Sequence, residues 1–244
     1  MLAEKVVVIS GAGSGLGCEL AVAFCAQGAK VVGLGRNAEK LASTAAKIDD
    51  SRFEYFSVDV SDFAALSGVI GRILDQHGHV DIVFNNAAVY PKVNFLEESA
   101  EQWAQTVAVN LGGVANMCKL VLPAMLERGF GRIYNVGSWA HLRPIENSAA
   151  YSATKGGVHA LSKAIAADIG HLQADVEVHE WIPGHLNTQM SDYTGIDPAI
   201  AGRWGVEISQ LRASSKGAML EQNREWEPPR SLKQRLKKKL VFWR

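Results

Sequence analysis

The sequence contains little cysteine. Three cysteines occur among 244 residues, and two of them, Cys18 and Cys25, fall in one stretch of helical period. Two turns of helix would separate their side chains by roughly 10 Å, which is more than a disulfide can span. We therefore expect reduced cysteines that pack in the core of an intracellular protein.

Long apolar runs and an excess of charge are also missing. No apolar run approaches the roughly 18 residues that span a bilayer, and residues 1–10 lack the pattern of a signal peptide, so we expect a cytoplasmic protein. The 25 Lys+Arg residues balance 25 Asp+Glu, which excludes a surface that binds nucleic acid over the whole molecule. The balance is uneven, because residues 224–244 contain eight basic and two acidic side chains.

Two catalytic patterns are absent from the sequence. The Gly-x-Ser-x-Gly turn of many hydrolases does not occur, and the histidines and cysteines show no metal-ligand spacing. The sequence therefore favours neither a hydrolase nor a metalloenzyme, and we predict no metal site.

The sequence does contain an alternation of short apolar runs with longer stretches of helical period. Hydrophobic residues make up 48% of the chain, which is enough for a full core. The runs are typical of strands buried on both faces, so they predict a doubly wound, Rossmann-type α/β fold in which helices cover both faces of a parallel sheet. The predicted strands are 6–10, 30–34, 53–58, 81–84, 132–137 and 176–182, and the predicted helices are 17–27, 38–48, 62–77, 100–128 and 153–171.

The same pattern predicts a single domain. The alternation runs to about residue 182 and stops after Pro183. Residues 1–190 are interpreted as the dinucleotide-binding catalytic domain, and residues 191–223 as a substrate lid or loop region of the same domain. Residues 224–244 are interpreted as an atypical C-terminal extension, a basic amphipathic tail.

A glycine-rich turn follows the first predicted strand. Gly11, Gly15 and Gly17 fit the spacing GxxxGxG, whereas GxGxxG would need glycine at Leu16 or Cys18. Such a turn brings the backbone and the N-terminus of the next helix close to a pyrophosphate. We interpret it as a dinucleotide-binding turn, and the alternative is a tight turn without a ligand.

The end of the second strand predicts the choice of dinucleotide. An acid there would bind the ribose 2′-OH of NAD, whereas an arginine accommodates the 2′-phosphate of NADP. The sequence has Arg36 and no acid at this place, so NADP(H) is favoured over NAD(H), unless Arg36 is simply a solvated loop residue. Asp59, after the third strand, could reach the adenine or could cap the next helix.

Four polar residues form a candidate catalytic set. Tyr151 and Lys155 are four residues apart on a predicted helix, so both lie on one face and the ammonium group can approach the phenol oxygen. A cation there stabilises the phenolate and lowers a tyrosine pKa that is normally near 10. Ser138 adds a hydroxyl at the carboxyl edge of the sheet, and Asn110 lies in the long helix before it. Taken singly, Tyr151 and Lys155 could equally be packing and surface residues.

With these motifs in order, the sequence strongly resembles the short-chain dehydrogenase/reductase family from about residue 4 to 190. Each motif alone is weak, but their order and spacing are specific. They are a TGxxxGxG-like turn with Ser10 in place of Thr, Asp59, an NNAG-like segment at 85–88 with Ala88 in place of Gly, Asn110, Ser138, the pair Tyr151 and Lys155, and Pro183-Gly184 followed by Thr188.

The resemblance implies a role for each residue. Tyr151 would be the general acid or base, Ser138 would bind the substrate oxygen, and Lys155 would lower the pKa of Tyr151 and bind the nicotinamide ribose. Asn110 would hold a water molecule that links Lys155 to solvent. The cofactor contacts would be Ser10, Gly11, Ser14, Gly15, Leu16, Gly17, Arg36, Asp59, Val60, Asn86, Ala87, Ala88, Tyr151, Lys155, Pro183, Gly184, Leu186 and Thr188.

The implied function is an NAD(P)-dependent oxidoreductase that interconverts a small-molecule carbonyl and a secondary alcohol by hydride transfer. The alternative is a non-catalytic dinucleotide-binding sensor or scaffold, which would not need a proton donor. The resemblance also implies a homodimer or homotetramer. Aromatic residues in the loops, such as Tyr90, Trp139 and Trp204, suggest an apolar or ring-shaped substrate.

The chain departs from the family pattern after residue 190. No segment like the family's TGxxxxVDGG follows, which leaves a seventh strand and the usual tetramer contact open. In the tail, Leu232, Leu236 and Leu240 recur at helical spacing among Lys and Arg residues, which is typical of a helix on an anionic membrane surface. The alternatives for residues 231–244 are a solvated helix and one docked on the acidic body of a partner subunit.

Overall fold

A computed structural model describes residues 2–226 of the chain. Eight strands form one sheet in the order β3-β2-β1-β4-β5-β6-β7-β8, and all neighbouring pairs are parallel except the last, which is antiparallel. The strands are β1 Val6–Ser10, β2 Lys30–Gly35, β3 Phe53–Ser57, β4 Ile82–Asn85, β5 Phe130–Val136, β6 Asp175–Ile182, β7 Met219–Glu221 and β8 Arg224–Glu225.

Helices cover both faces of this sheet. The first strand shows why, since Val7 and Ile9 pack in one apolar cluster while Val6 and Val8 pack in another on the opposite face. α1, α2 and α7 contribute to the first cluster, and α3, α5 and α6 to the second. The helices are α1 Gly15–Ala26, α2 Ala38–Ile48, α3 Phe63–His77, α4 Ala100–Val107, α5 Gly113–Arg128, α6 Ala149–Ile169 and α7 Pro198–Ile208.

This architecture confirms the predicted doubly wound α/β fold. All six predicted strands are present with ends shifted by a few residues at most. The strand order reverses between β1 and β4, and such a switch point is where doubly wound folds bind their ligands. The three cysteines are free and buried, and burial raises the pKa of Cys25 and of Cys118 to about 12.

A seventh strand, which the sequence left open, is present. β7 is three residues long and pairs with β6 in parallel, and β8 then turns back on it. The preceding helix α7 packs on α1, where a Cβ added at Gly205 would lie 2.2 Å from Leu20 Cδ2. Within the region interpreted as a lid, residues 198–208 therefore form part of the packed body. The predicted amphipathic helix at 231–244 lies outside the described residues.

The predicted long helix at 100–128 is interrupted. Residues Ala108–Gly112 form a π-helical turn between α4 and α5, and such turns often occur at functional sites. By length and hydropathy alone the stretch Ala100–Arg128 could cross a membrane. In the fold it packs as a core helix, since Val114, Met117 and Val121 belong to the apolar cluster that covers the sheet.

Candidate active site

The glycine turn brings the end of β1 against the loop after β4. Gly11 has φ +69°, and a Cβ at this position would lie 2.9 Å from Asn86 Nδ2 and 3.0 Å from Ala87 Cα. A Cβ at Gly17 would lie 2.2 Å from the carbonyl oxygen of Gly11. Gly11 therefore requires glycine for its backbone conformation, and Gly17 requires it because another backbone segment approaches so closely.

The start of α1 fits an anionic ligand. Its N-cap, Ser14, has an extended backbone, and its side chain makes no capping hydrogen bond to the described residues. The first N–H groups of a helix have no partner within the helix, and the helix dipole favours negative charge near them. The turn with its uncapped helix thus has the donors and the close backbone approach that a pyrophosphate needs.

Ser10 and Asn86, which were predicted to contact the cofactor, use their side chains to join the carboxyl ends of β1 and β4. The Ser10 hydroxyl accepts hydrogen bonds from the backbone N–H groups of Asn86 and Ala87 at 3.0 Å each, and it donates to the carbonyl oxygen of Phe84 at 3.3 Å. Asn86 Nδ2 donates to the carbonyl oxygen of Ser10 at 3.0 Å. These bonds join the ends of β1 and β4, so the two side chains position the site's backbone.

A cleft lies where β1, β2, β3 and β4 end. Arg36 Nη1 is 3.7 Å from Asp59 Oδ2, and the arginine side chain is 55% exposed. Partial burial raises the pKa of Asp59, but hydrogen bonds from Ser61 and the charge of Arg36 outweigh it and hold the pKa below its usual value. Asp62, not Asp59, caps α3, so Asp59 remains available to the cleft. The cleft is lined by Gly11, Gly35, Arg36, Asp59, Val60, Ala87, Ala88, Val89 and Val109.

The predicted catalytic residues meet beside this cleft. Lys155 is 3% exposed, and its Nζ lies 5.6 Å from the centre of the Tyr151 ring and donates to the carbonyl oxygen of Val136 at 2.6 Å. Burial raises the pKa of Tyr151 above its usual value despite the opposing interaction with the Ser138 hydroxyl, so the structure does not show the lowered tyrosine pKa that the sequence predicted. Burial lowers the pKa of Lys155 to about 8, and the charge of Glu180 opposes this effect. The phenol, the hydroxyl and the ammonium group therefore lie together.

Asn110 is fully buried in the π-helical turn. Its Nδ2 donates to the carbonyl oxygen of Val89 at 2.9 Å and to Thr154 Oγ1 at 3.2 Å, and its Oδ1 accepts from the backbone N–H of Val89 at 2.8 Å. These bonds fix the loop after β4 against α6. The side chain of Asn110 is therefore hydrogen-bonded at both of its polar atoms.

The loop after β6 closes the other side of the cleft. A Cβ at Gly15 would lie 3.1 Å from Thr188 Cγ2, so this loop touches the glycine turn. Leu186 is buried in the apolar core, which leaves only its backbone for a ligand. Lys92 and Asp192 form a 2.5 Å ion pair that joins the loops after β4 and β6.

Apolar and aromatic side chains surround the approach to Tyr151. The Tyr90 ring stacks on the Tyr151 ring at 4.6 Å, and Leu142, Ile145 and Tyr193 are exposed on the neighbouring loops. Of the aromatic residues suggested as substrate contacts, Trp204 instead packs against the apolar core. The sequence analysis missed the buried pair of Glu180 and His159, because β6 carries several polar residues and nothing in its sequence distinguishes Glu180 from them.

Comparisons with known proteins agree with this geometry. The family described as short chain dehydrogenase matches residues 5–198. An uncharacterised oxidoreductase of Staphylococcus epidermidis is 30% identical over 191 residues, covering 78% of this chain and 82% of the relative.

Two solved structures share the fold and exceed 25% identity. A 3-ketoacyl-(acyl-carrier-protein) reductase from Brucella melitensis, complexed with NADH, is 27% identical, covers 91% of this chain and 100% of that one, and has a TM-score of 0.82. A metagenomic short-chain oxidoreductase in complex with NADP is 26% identical to this chain and has a TM-score of 0.78. The match covers 90% of this chain and 98% of that one. The chain therefore belongs to the short-chain dehydrogenase family and is an NAD(P)-dependent oxidoreductase.

Proposed function

We propose that the protein interconverts a carbonyl compound and a secondary alcohol, with NADP(H) as its preferred cofactor. One observation carries this proposal: Ser138, Tyr151 and the buried Lys155 lie together at the carboxyl edge of the sheet, beside the uncapped start of α1. A sensor or scaffold would need the dinucleotide cleft alone and would have no use for a proton donor.

Tyr151 is the proposed proton donor in reduction and the proton acceptor in oxidation. The bound nicotinamide would supply or accept the hydride. Ser138 would donate a hydrogen bond to the substrate oxygen, where negative charge develops. Lys155 would stabilise the phenolate form of Tyr151, since a cation near a phenol favours its ionised form. Asn110 would hold a water molecule that returns the proton from solvent.

Arg36 supports the preference for NADP(H). Its side chain is more than half exposed at the rim of the cleft and reaches Asp59 only at 3.7 Å, so the guanidinium group can turn to a 2′-phosphate. A guanidinium group binds phosphate through two parallel hydrogen bonds. The residues that follow β2 are Arg36 and Asn37. Arg36 has no acceptor atom in its side chain, and Asn37 Oδ1 already accepts from the backbone N–H of Lys40, so neither supplies the carboxylate that binds a ribose 2′-OH.

The apolar rim supports a substrate with a ring or an extended hydrocarbon part. Tyr90 would pack on the substrate as it does on Tyr151, and Leu142 and Ile145 would cover its outer face. We also propose a cytoplasmic homodimer or homotetramer that contacts its copies through α4, α5 and α6.

A panel of ketones, aldehydes and secondary alcohols, followed at 340 nm with NADPH and NADH in parallel, tests the proposal. We expect turnover of at least one apolar carbonyl compound, with NADPH giving the higher kcat/KM. Binding of NADPH without turnover of any member of a broad panel would favour the sensor or scaffold instead.

A further inference from the structure

Glu180 is a buried acid beside the proposed catalytic lysine. It lies on β6 between His179 and Trp181 and is 3% exposed. Its Oε2 pairs with His159 Nδ1 at 2.6 Å. Its Oε1 is buried and has no hydrogen-bond partner among the described residues. Burying a carboxylate oxygen in this way is costly unless a nearby charge compensates it.

The fold makes room for this carboxylate at the end of β5. A Cβ at Gly137 would lie 2.2 Å from Glu180 Oε1, so the oxygen occupies the space that any other side chain would fill. The neighbouring Val136 carbonyl oxygen accepts the hydrogen bond from Lys155 Nζ. The carboxylate of Glu180 and the ammonium group of Lys155 therefore both lie against the peptide unit that joins Val136 to Gly137.

His159 holds the carboxylate from the helix that carries Lys155. The two residues are one turn apart on α6, so their side chains share a face. His159 also stacks on His141 at 5.0 Å, and His141 Nδ1 lies 2.6 Å from the carbonyl oxygen of Ser138. The carboxylate is thus held by a residue of the helix that carries Lys155.

Other ionisable groups near Lys155 do not supply a negative charge. Tyr151 on α6 and Tyr90 on the loop after β4 are phenols, and the π-helical turn contributes the neutral Asn110. From β7, the Glu221 carboxylate accepts a hydrogen bond from Trp139 Nε1 at 2.9 Å, so it lies toward Trp139. Within residues 2–226, Glu180 is the acid whose charge raises the pKa of Lys155 against the effect of burial.

We propose that Glu180, oriented by His159, is the counter-charge that keeps the buried Lys155 side chain protonated in the active site. Glu180 is a positioning residue in this account, because it acts on the reaction only through Lys155. Its effect on catalysis rests on the proposed function, but its effect on Lys155 can be measured without turnover.

The sign of the effect follows from the charges. A buried negative charge makes a proton harder to remove from its neighbours. Replacing Glu180 by neutral glutamine should therefore let the Tyr151 and Lys155 pair lose a proton at lower pH. In carbonyl reduction, which needs the pair protonated, the decline of activity at high pH should begin at lower pH.

The direct test is a pH titration of Lys155 in the full-length protein, labelled with [¹³Cε]lysine and followed by NMR. The signal is assigned by its loss in Lys155→Met. We expect the apparent pKa of Lys155 to fall by roughly one unit in Glu180→Gln. Glu177→Gln is the matched control, because Glu177 is on the same strand but is bound to His179 at 2.7 Å on the opposite face, and it should leave the titration unchanged. An unchanged titration in Glu180→Gln overturns the proposal.

A second pair of variants covers the case in which Glu180→Gln does not fold. Glu180→Ala also removes the charge and should lower the pKa of Lys155, whereas Glu180→Asp keeps the charge and should retain most of the wild-type value. If both neutral variants fail to fold while Glu180→Asp folds, the carboxylate serves the fold and the proposal is overturned.

The pH profile of kcat/KM then links the charge to catalysis. With a substrate from the panel, Glu180→Gln should shift the alkaline limb of reduction down by roughly one unit and leave the KM for NADPH within about twofold. A titration that shifts while the wild type turns over nothing would refute the proposed function but support the role of Glu180. If the wild type is active but the Lys155 titration and the pH profile of Glu180→Gln coincide with those of the wild type, the role of Glu180 is refuted and the proposed function stands.

Discussion

Replacing Gly17 by alanine should damage dinucleotide binding more than folding. The new Cβ would lie 2.2 Å from the carbonyl oxygen of Gly11 and 2.7 Å from Asn86 Nδ2. A carbon–oxygen contact normally needs about 3.3 Å. The start of α1 and the glycine turn must therefore separate by about 1 Å, which moves the N–H groups that would bind a pyrophosphate.

The magnitude follows from those hydrogen bonds. A hydrogen bond to a charged group contributes about 1.5–3 kcal/mol, and each 1.4 kcal/mol is about a tenfold change in Kd. Misplacing one such donor should weaken NADPH binding by about 10- to 100-fold. The matched control is Gly71→Ala on α3, because nothing lies within 4 Å of a Cβ there. It should leave the Kd unchanged and stabilise α3 by about 0.5–1 kcal/mol.

The assay is a titration of NADPH fluorescence with both variants and the wild type, accompanied by thermal unfolding. Gly17→Ala should still unfold cooperatively, since the clash is confined to the turn and the first residues of α1. A wild-type Kd for Gly17→Ala would refute the assignment of this turn to the pyrophosphate.

Two further predictions concern cofactor choice and stability. Arg36→Ala should weaken NADPH binding by about 10-fold or more through loss of the 2′-phosphate contact while leaving NADH binding within about twofold; equal losses for both cofactors would show that Arg36 does not read the phosphate. Asp81→Asn should destabilise the fold by about 2–4 kcal/mol in urea denaturation at pH 7, because the fully buried carboxylate accepts bonds from the backbone N–H of Val6 and from Lys5 and Arg128. Although burial raises the pKa of Asp81, those bonds lower it overall, so the stability it contributes is present above about pH 4 and is lost as pH falls through the lowered pKa. A difference in stability between variant and wild type that does not shrink as the pH falls below about 4 would contradict this account.

The sequence predicted the parts of the fold whose pattern is local. Residues 6–9 are all apolar and β1 is buried along its whole length, a pattern that is typical of a central parallel strand. The helix predicted at 38–48 from its apolar spacing agrees with α2 to the residue, and the side chain of Asn37 caps its start. The glycine turn and the pair Tyr151 and Lys155 were also visible as spacings.

The remainder depends on contacts between distant residues. β7 has three residues, too few to show a periodicity, and it exists because β6 offers an edge to pair with. The π-helical turn within 100–128 has the composition of an ordinary helix. Glu180 and His159 are 21 residues apart in sequence. Only the packing of α6 on β6 brings Glu180 to His159 and to the neighbouring Lys155.

The most direct test of the central claim is the kcat of Tyr151→Phe with a substrate that the wild type turns over. Removing the phenol oxygen removes the proposed proton donor but keeps the ring that stacks on Tyr90. We predict a loss of kcat of about 10²- to 10⁴-fold, with the Kd for NADPH within about twofold of wild type. Retention of wild-type turnover in Tyr151→Phe would contradict the assignment of Tyr151 as the catalytic acid and base.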